Sequence, residues 1–288
     1  MPKYTSFKSS AAKNLKSKSD YFSTENAIVM GILNVTEDSF FDGGKYNDEE
    51  KIINKCRKML EEGARIIDVG AQSSRPGAQI ISAEQELSEL LPIIKLLKNR
   101  FPNIILSVDT YWSKVAEQCV KVGADIINDI SAGELDEKMA DTIAKLQVPY
   151  IIMHMQGTPS NMQKNPTYIN VTTEIISYFQ QKIKQLQAKG IQDIIIDPGF
   201  GFGKTLAHNY QLLNELEEFK QFDIPILVGT SRKSMIYKLL DSIPEKALNG
   251  TSIINTIALQ KGANILRVHD VKEALECIKI TTFAKNNC

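Results

Sequence analysis

Gly63-Ala64-Arg65-Ile66-Ile67-Asp68, Gly123-Ala124-Asp125-Ile126-Ile127-Asn128 and Gly262-Ala263-Asn264-Ile265-Leu266-Arg267 are three instances of one pattern. An amphipathic stretch precedes each, then come Gly-Ala, a short run of branched aliphatics and a polar residue; Gly190 to Asp197 is a looser copy. Each glycine suits the position just past a helix, where a positive φ costs little without a Cβ. The unit therefore reads as helix, tight turn, strand, polar strand end.

Working outward, the runs at 27–33, 104–108, 149–153 and 224–228 are nearly all apolar, as parallel strands buried on both faces must be. Helical patterns lie at about 47–62, 82–99, 112–122, 135–146, 169–188, 206–220, 232–261 with an interruption at Pro244, and from 271 onward. Strict alternation of strand and helix predicts a parallel sheet, and eight units in 288 residues favour closure into an α/β fold of the TIM (β/α)8 barrel kind. No linker divides the chain, so 25–288 reads as one barrel domain. Residues 1–24 form an N-terminal extension rich in Lys and Ser. That composition would suit an organellar transit peptide, but the segment lacks Arg, and a loose or docked tail is preferred.

Lysine plus arginine equals aspartate plus glutamate at 34 each, so no global field draws nucleic acid or an anionic membrane, and any anion site must be local. No apolar run is long enough to span a bilayer, and the N-terminus lacks the apolar centre of a secretory signal. Of four cysteines, Cys56, Cys119 and Cys277 fall on apolar stripes and no C-x-x-C pair exists. They read as core thiols of a reducing cytoplasm.

Polar residues gather just after the strands: Asn34, Asp68, Asp109, Asn128, His154, Asp197, Gly229, Arg267 and His269. A barrel puts these on the face where the eight loops converge and active sites form. Asp109 and Asp197 converge as two carboxylates suited to stabilising positive charge or handling protons; Asp109 could instead cap the following helix. Asp197-Pro198-Gly199-Phe200-Gly201-Phe202-Gly203-Lys204 lets backbone approach a ligand and supplies flat apolar faces, without the spacing of a mononucleotide loop. Gly229-Thr230-Ser231-Arg232-Lys233-Ser234 opens a helix, so backbone donors and two cations coincide as an anion site. Arg267 and His269, two apart, point the same way. Ser73-Ser74-Arg75-Pro76-Gly77 offers hydroxyls and a guanidinium, or only a turn. Residues 34–44, long and polar with two aromatics, read as a mobile lid or a surface loop. His154 and His208 are expected to be ordinary packed histidines.

Together, Met30 to Thr36 with Asp38-Ser39-Phe40, Ser73 to Gly77, Ser107-Val108-Asp109-Thr110, Ile127-Asn128-Asp129, Met153 to Gly157, the run from Asp197 to Lys204, Ser231 to Ser234 and Arg267 to Asp270 closely resemble the dihydropteroate synthases. The resemblance runs from about Ile28 to the last helix. It implies a barrel enzyme that joins 6-hydroxymethyl-7,8-dihydropterin pyrophosphate to 4-aminobenzoate with Mg²⁺, giving 7,8-dihydropteroate and pyrophosphate. It implies a pterin held by Asp109, Asn128, Met153, Asp197 and Lys233, with Asp109, Asp197 and Lys233 carrying the chemistry. Asn34 would bind the metal and, with Arg75, Arg267 and His269, the pyrophosphate. Aminobenzoate would meet Phe40, Ser74, Arg75, Pro76, Phe202 and Ser234. A homodimer is implied too, with no nucleic-acid or membrane partner. The sequence departs from the family's usual Glu and Thr at Gln72 and Ser74, which predicts altered affinity for aminobenzoate or sulfonamide mimics, and Glu37 stands where Pro is frequent. A pterin-binding methyltransferase domain and a catalytically inactive pterin-binding homologue are the rival readings. The pyrophosphate and aminobenzoate motifs argue against the first, and the retained aspartates, Lys233, Arg267 and His269 against the second.

Overall fold

The computed structural model describes residues 27–35, 45–72 and 81–287. The strands are β1 (Ile28–Asn34), β2 (Ile66–Gly70), β3 (Ile105–Asp109), β4 (Ile126–Asp129), β5 (Tyr150–Met153), β6 (Ile194–Asp197), β7 (Leu227–Val228) and β8 (Ile265–Val268). They pair in the order β6-β5-β4-β3-β2-β1-β8-β7, every ladder parallel. A parallel bridge between Ile196 and Ile226 joins the two ends of that order and closes the ring. Helices α1 (Lys45–Glu61), α2 (Ala83–Arg100), α3 (Ser113–Lys121), α4 (Met139–Leu146), α5 (Val171–Ala188), α6 (Leu206–Asn214), α7 (Ser234–Tyr237), α8 (Leu248–Lys261) and α9 (Val271–Asn286) lie between and after the strands. This is the expected (β/α)8 barrel. The glycines of the repeat take the positive φ expected of them, +104° at Gly63, +119° at Gly123, +87° at Gly190 and +108° at Gly262.

Strand period divides the core in two. Met30, Ile66, Ile126, Ile151, Ile195, Leu227 and Ile265 pack together on the barrel axis, while their neighbours Val29, Ile67, Leu106, Ile127, Ile152, Ile196, Val228 and Leu266 face the helices. Two residues beyond the apolar floor, the same inner face turns polar: Asp68, Asn128, Asp197 and Arg267 follow Ile66, Ile126, Ile195 and Ile265. Each floor side chain stabilises the fold by roughly 1.5–3 kcal/mol, the scale needed to offset the several kcal/mol of burying an ion above it.

Several elements are shorter than their patterns. The helix expected from 135 begins at Met139, because Asp136 turns both carboxylate oxygens to backbone donors, Oδ2 to Ser113 N at 2.8 Å and Oδ1 to Lys138 N at 3.0 Å. The pattern at 206–220 breaks after Asn214 into a 3-10 turn, Leu216–Phe222. That at 232–261 becomes α7, a 3-10 turn at Pro244–Lys246, and α8. The strand expected over 224–228 shrinks to two residues because Pro225 brings no N–H to a ladder. Cys56, Cys119 and Cys277 are buried and free, and burial pushes the first two thiols up to about 12. No described helix is long and apolar enough to cross a membrane. Residues 1–24, the proposed lid beyond Val35, and Phe40, Ser74, Arg75 and Pro76 lie outside the described residues.

Candidate active site

Above the apolar floor, Arg267 of β8 reaches across the barrel. Its Nε donates to Asp68 Oδ2 and its Nη2 to Asp109 Oδ2, both at 2.6 Å, and Asn128 Nδ2 donates to the same Asp68 oxygen at 3.1 Å. Strands β2, β3, β4 and β8 are thereby tied by side chains as well as ladders. Burial pushes the Asp109 carboxyl up to about 7 against the pull of Arg267, with the charges of Asp68 and Asp129 adding to the rise. Burial works against the Arg267 charge, and the two carboxylates overcome it, so the guanidinium stays charged. Asp109 is no helix cap: α3 starts at Ser113, and Asp136 supplies its capping oxygen.

Asp197 ends β6 and anchors the Gly-rich loop, accepting from Gly199 N at 2.8 Å through Oδ1. Burial raises its pKa, with Lys233, the Gly199 N–H and Arg267 opposing. Gly199 is needed here, since a Cβ at its φ of +76° would lie 1.9 Å from His154 O. Lys233 enters from the other side, donating to Phe200 O at 2.7 Å with its ammonium 4.5 Å from the centre of the Phe202 ring. Burial lowers its pKa to about 8, with Asp197 opposing. Phe202 and Met153 belong to one apolar cluster with Tyr111, Ile130 and Met162, forming a wall beside these charges.

The loops after β7 and β8 are clasped together. Ser231 Oγ accepts from His269 N at 3.2 Å and lies 3.0 Å from His269 Nδ1, a hydrogen bond in which either atom can be the donor. Burial and then Arg267 lower His269 to about 4, so its imidazole is neutral near pH 7. Arg232 is not the second cation of an anion site. Its φ of +56° turns it outward, where Nε and Nη2 grip Asp270 at 2.9 and 2.8 Å and Nη1 donates to Pro244 O and Glu245 O. Lys233 alone of the pair faces inward, and Ser234 begins the four-residue α7.

Of the expected site residues, Asp109, Asn128, Asp197, Lys233 and Arg267 thus meet on one inner face, with Met153 and Phe202 beside them and His269 and Ser234 at the rim. Asn34 is exposed at the end of β1, next to β8 in the sheet. Asp68 belongs with them although no role was expected for it; the signal was its place in the repeat, matching Asn128 and Arg267. Gln72 also has a definite part, its Oε1 accepting from Ile81 N at 2.9 Å and Tyr111 OH at 3.3 Å. His154 is buried as expected, while His208 is half-buried and serves in the capping box of Thr205.

The family model described as pterin binding enzyme matches residues 30–269. Dihydropteroate synthase of Escherichia coli (strain K12) is 46% identical over 265 residues, covering 90% of this chain and 93% of that protein. Among solved structures, Yersinia pestis dihydropteroate synthase with a sulfonamide drug complex superposes with a TM-score of 0.86 at 43% identity, covering 91% of this chain and 96% of the other. Xanthomonas albilineans dihydropteroate synthase with 4-aminobenzoic acid gives 0.85 at 36% identity, covering 91% and 94%.

Proposed function

Because the chain belongs to the pterin-binding enzymes, among the dihydropteroate synthases, we propose that its barrel mouth joins 6-hydroxymethyl-7,8-dihydropterin pyrophosphate to 4-aminobenzoate. The observation that carries this reading is the inner-face set of Asp109, Asn128, Asp197 and Lys233 beside the apolar wall of Met153 and Phe202. A flat heterocycle edged with N–H donors and ring acceptors finds carboxylates, an amide and an ammonium there. The aromatic amine slots beside Phe202, its carboxylate toward Ser234 and the backbone donors near it, with Phe40, Ser74, Arg75 and Pro76 completing that subsite.

The bond between the pterin CH₂ and the pyrophosphate oxygen breaks with its electron pair leaving on the oxygen, and the amine nitrogen forms the new bond to that carbon, losing one proton to solvent. Departure ahead of attack places positive charge on the pterin, which Asp109 and Asp197 stabilise from fixed positions. The arylamine is largely unprotonated at neutral pH, so no strong base is required. Arg267 and the neutral His269 hold the departing pyrophosphate. Asn34, whose exposed side-chain oxygen ends β1 at the rim, would hold Mg²⁺, a hard ion suited to such an oxygen donor. Bound there, Mg²⁺ would supply charge neutralisation to the leaving group.

We place the reaction in the cytoplasm, a reading supported by the buried free thiols. A homodimer is supported by an apolar face on α8 and α9, where Ile253, Ile280 and Phe283 are 52%, 68% and 71% exposed. Light scattering showing a stable monomer at micromolar concentration would refute the dimer. The decisive assay is pyrophosphate release by the purified chain with Mg²⁺ and the pterin pyrophosphate, with and without 4-aminobenzoate. Aminobenzoate-dependent release with dihydropteroate formed is the expected result; pterin binding without release would overturn it in favour of an inactive homologue.

A further inference from the structure

Lys204 closes the Gly-rich run, is 3% exposed, and has no carboxylate within ion-pair distance among the described residues. Its Nζ donates to Gly199 O at 2.8 Å and Phe202 O at 3.1 Å and lies 3.1 Å from His154 Nδ1, with His154 O a weaker fourth contact at 3.4 Å. An ammonium has three hydrogens, and three good acceptors surround this one. Burying it costs several kcal/mol, and an apolar replacement would strip a donor from two loop carbonyls at about 1–3 kcal/mol each.

The loop sits between two lysines. On its back, Lys204 holds the carbonyls of Gly199 and Phe202; on its front, Lys233 holds the carbonyl of Phe200 and rests over the Phe202 ring. The back surface has no slack, because a Cβ at Gly199 would meet His154 O at 1.9 Å and one at Gly203 would meet Gln156 O at 2.5 Å. Further donors and acceptors fix the rest of the loop: Tyr168 OH donates to Gly203 O at 2.9 Å, and Asn209 Oδ1 accepts from Gly201 N at 2.7 Å. None of these other bonds reaches the Phe202 carbonyl, whose residue carries the ring beneath Lys233.

We propose that Lys204 is a positioning residue for both substrates: from behind the Gly-rich loop its ammonium group sets the place of the Phe202 ring and, through the loop, of Lys233. The inference rests on the reaction assigned above. It gives a part to a buried cation that touches neither the pterin groups nor the rim, and it sets that cation against a neutral His154. Burial, and next the Lys204 charge, push that imidazole down to about 2, leaving the Nδ1 lone pair free to accept. Burial likewise lowers Lys204 to about 7, with Asp197 opposing. A shift of the Phe202 ring would move the edge shared by the two substrates, so both should lose affinity together.

The test compares steady-state kinetics of the wild-type chain and Lys204→Met with the pterin pyrophosphate, Mg²⁺ and 4-aminobenzoate, alongside thermal unfolding. The expected result is a rise in KM of about tenfold for both substrates, with a smaller change in kcat, at temperatures where the variant is folded. A lower Tm with both KM values unchanged would make Lys204 merely structural and overturn the proposal. Should Lys204→Met fail to fold, His154→Phe carries the same test: it keeps a ring against Tyr178 and removes one acceptor, and a smaller parallel rise in both KM values is expected, unchanged values being the overturning result. Absence of dihydropteroate from the wild-type chain would instead sink the functional assignment, so the two failures are told apart by the control.

Discussion

Arg267 Nη2 and Asp109 Oδ2 lie 2.6 Å apart across the barrel, and the same guanidinium holds Asp68 through Nε. Asp109 is thus stabilised by a cation that is itself stabilised twice. Removing the Asp109 charge leaves Arg267 paired with Asp68, so Asp109→Asn should fold and retain substantial pterin affinity. Its kcat should fall on the order of 100-fold, because the lost charge acts on a cation that exists only during the reaction. Calorimetry of pterin binding beside steady-state turnover measures the split; unchanged turnover would remove Asp109 from the chemistry.

The same pair shapes the pH profile. With Asp109 raised to about 7 and Lys233 lowered to about 8, the form carrying both charges dominates between them. The kcat/KM profile should fall on the acid side as Asp109 gains its proton and on the alkaline side as Lys204, lowered to about 7, and Lys233 lose theirs. The two limbs belong to the coupled cluster, and Asp109→Asn should flatten the acid one.

Outside the site, the Arg232–Asp270 clasp joins the loop that delivers Lys233 to the one that delivers His269. Asp270→Asn breaks the two-point grip on a pair only 28% and 18% exposed, which should cost about 1–2 kcal/mol of stability. The KM for the pterin pyrophosphate should rise while the acid limb set by Asp109 stays in place. Chemical denaturation and substrate titration of the variant test both parts.

Acid should weaken the fold through His154. The unfolded imidazole takes a proton below about 6.5, whereas the folded one resists to about 2, so over that window the unfolded state binds more protons and stability falls as pH falls. The stability difference between wild type and His154→Phe should therefore shift toward the variant by about 1.4 kcal/mol per pH unit below 6.5. A difference that does not vary with pH would show that His154 is not held neutral.

Two glycines of similar backbone give an internal comparison. Gly190, at φ +87° with nothing within 4 Å of the place a Cβ would take, should tolerate Ala at about 1 kcal/mol, the cost of the conformation alone. Gly199→Ala meets His154 O as well and should cost more than about 2 kcal/mol and abolish turnover. Equal melting temperatures for the two variants would contradict the close approach.

Much of this was legible in the residues because one repeat carries both strand and strand end. Period 2 after Ile66, Ile126 and Ile265 is enough to place Asp68, Asn128 and Arg267 on one inner face. What remained hidden was direction and range. Arg232 and Lys233 are adjacent in a basic motif, yet a left-handed backbone at Arg232 sends the two apart, and no spacing announces that. Asp68 reads as a strand residue until Arg267, 199 positions away, is found on its carboxylate. Lys204, at the end of a run of glycines, shows no role of its own until the carbonyls of that loop are seen turned back on it. Pro225 did carry the signal for the short β7.

The single bridge between Ile196 and Ile226 has a consequence for how the barrel breathes. Elsewhere neighbouring strands pair over two to five residues, but β6 and the β7 side pair at one position, where Ile196 N donates to Pro225 O at 3.0 Å. A hoop is weakest at its thinnest stave. That stave stands beneath the Gly-rich loop on one side and the Lys233 loop on the other, so the two walls that grip the substrates are also the two lips of the natural parting line, and a bound ligand spanning them would act as the stitch the ladder lacks.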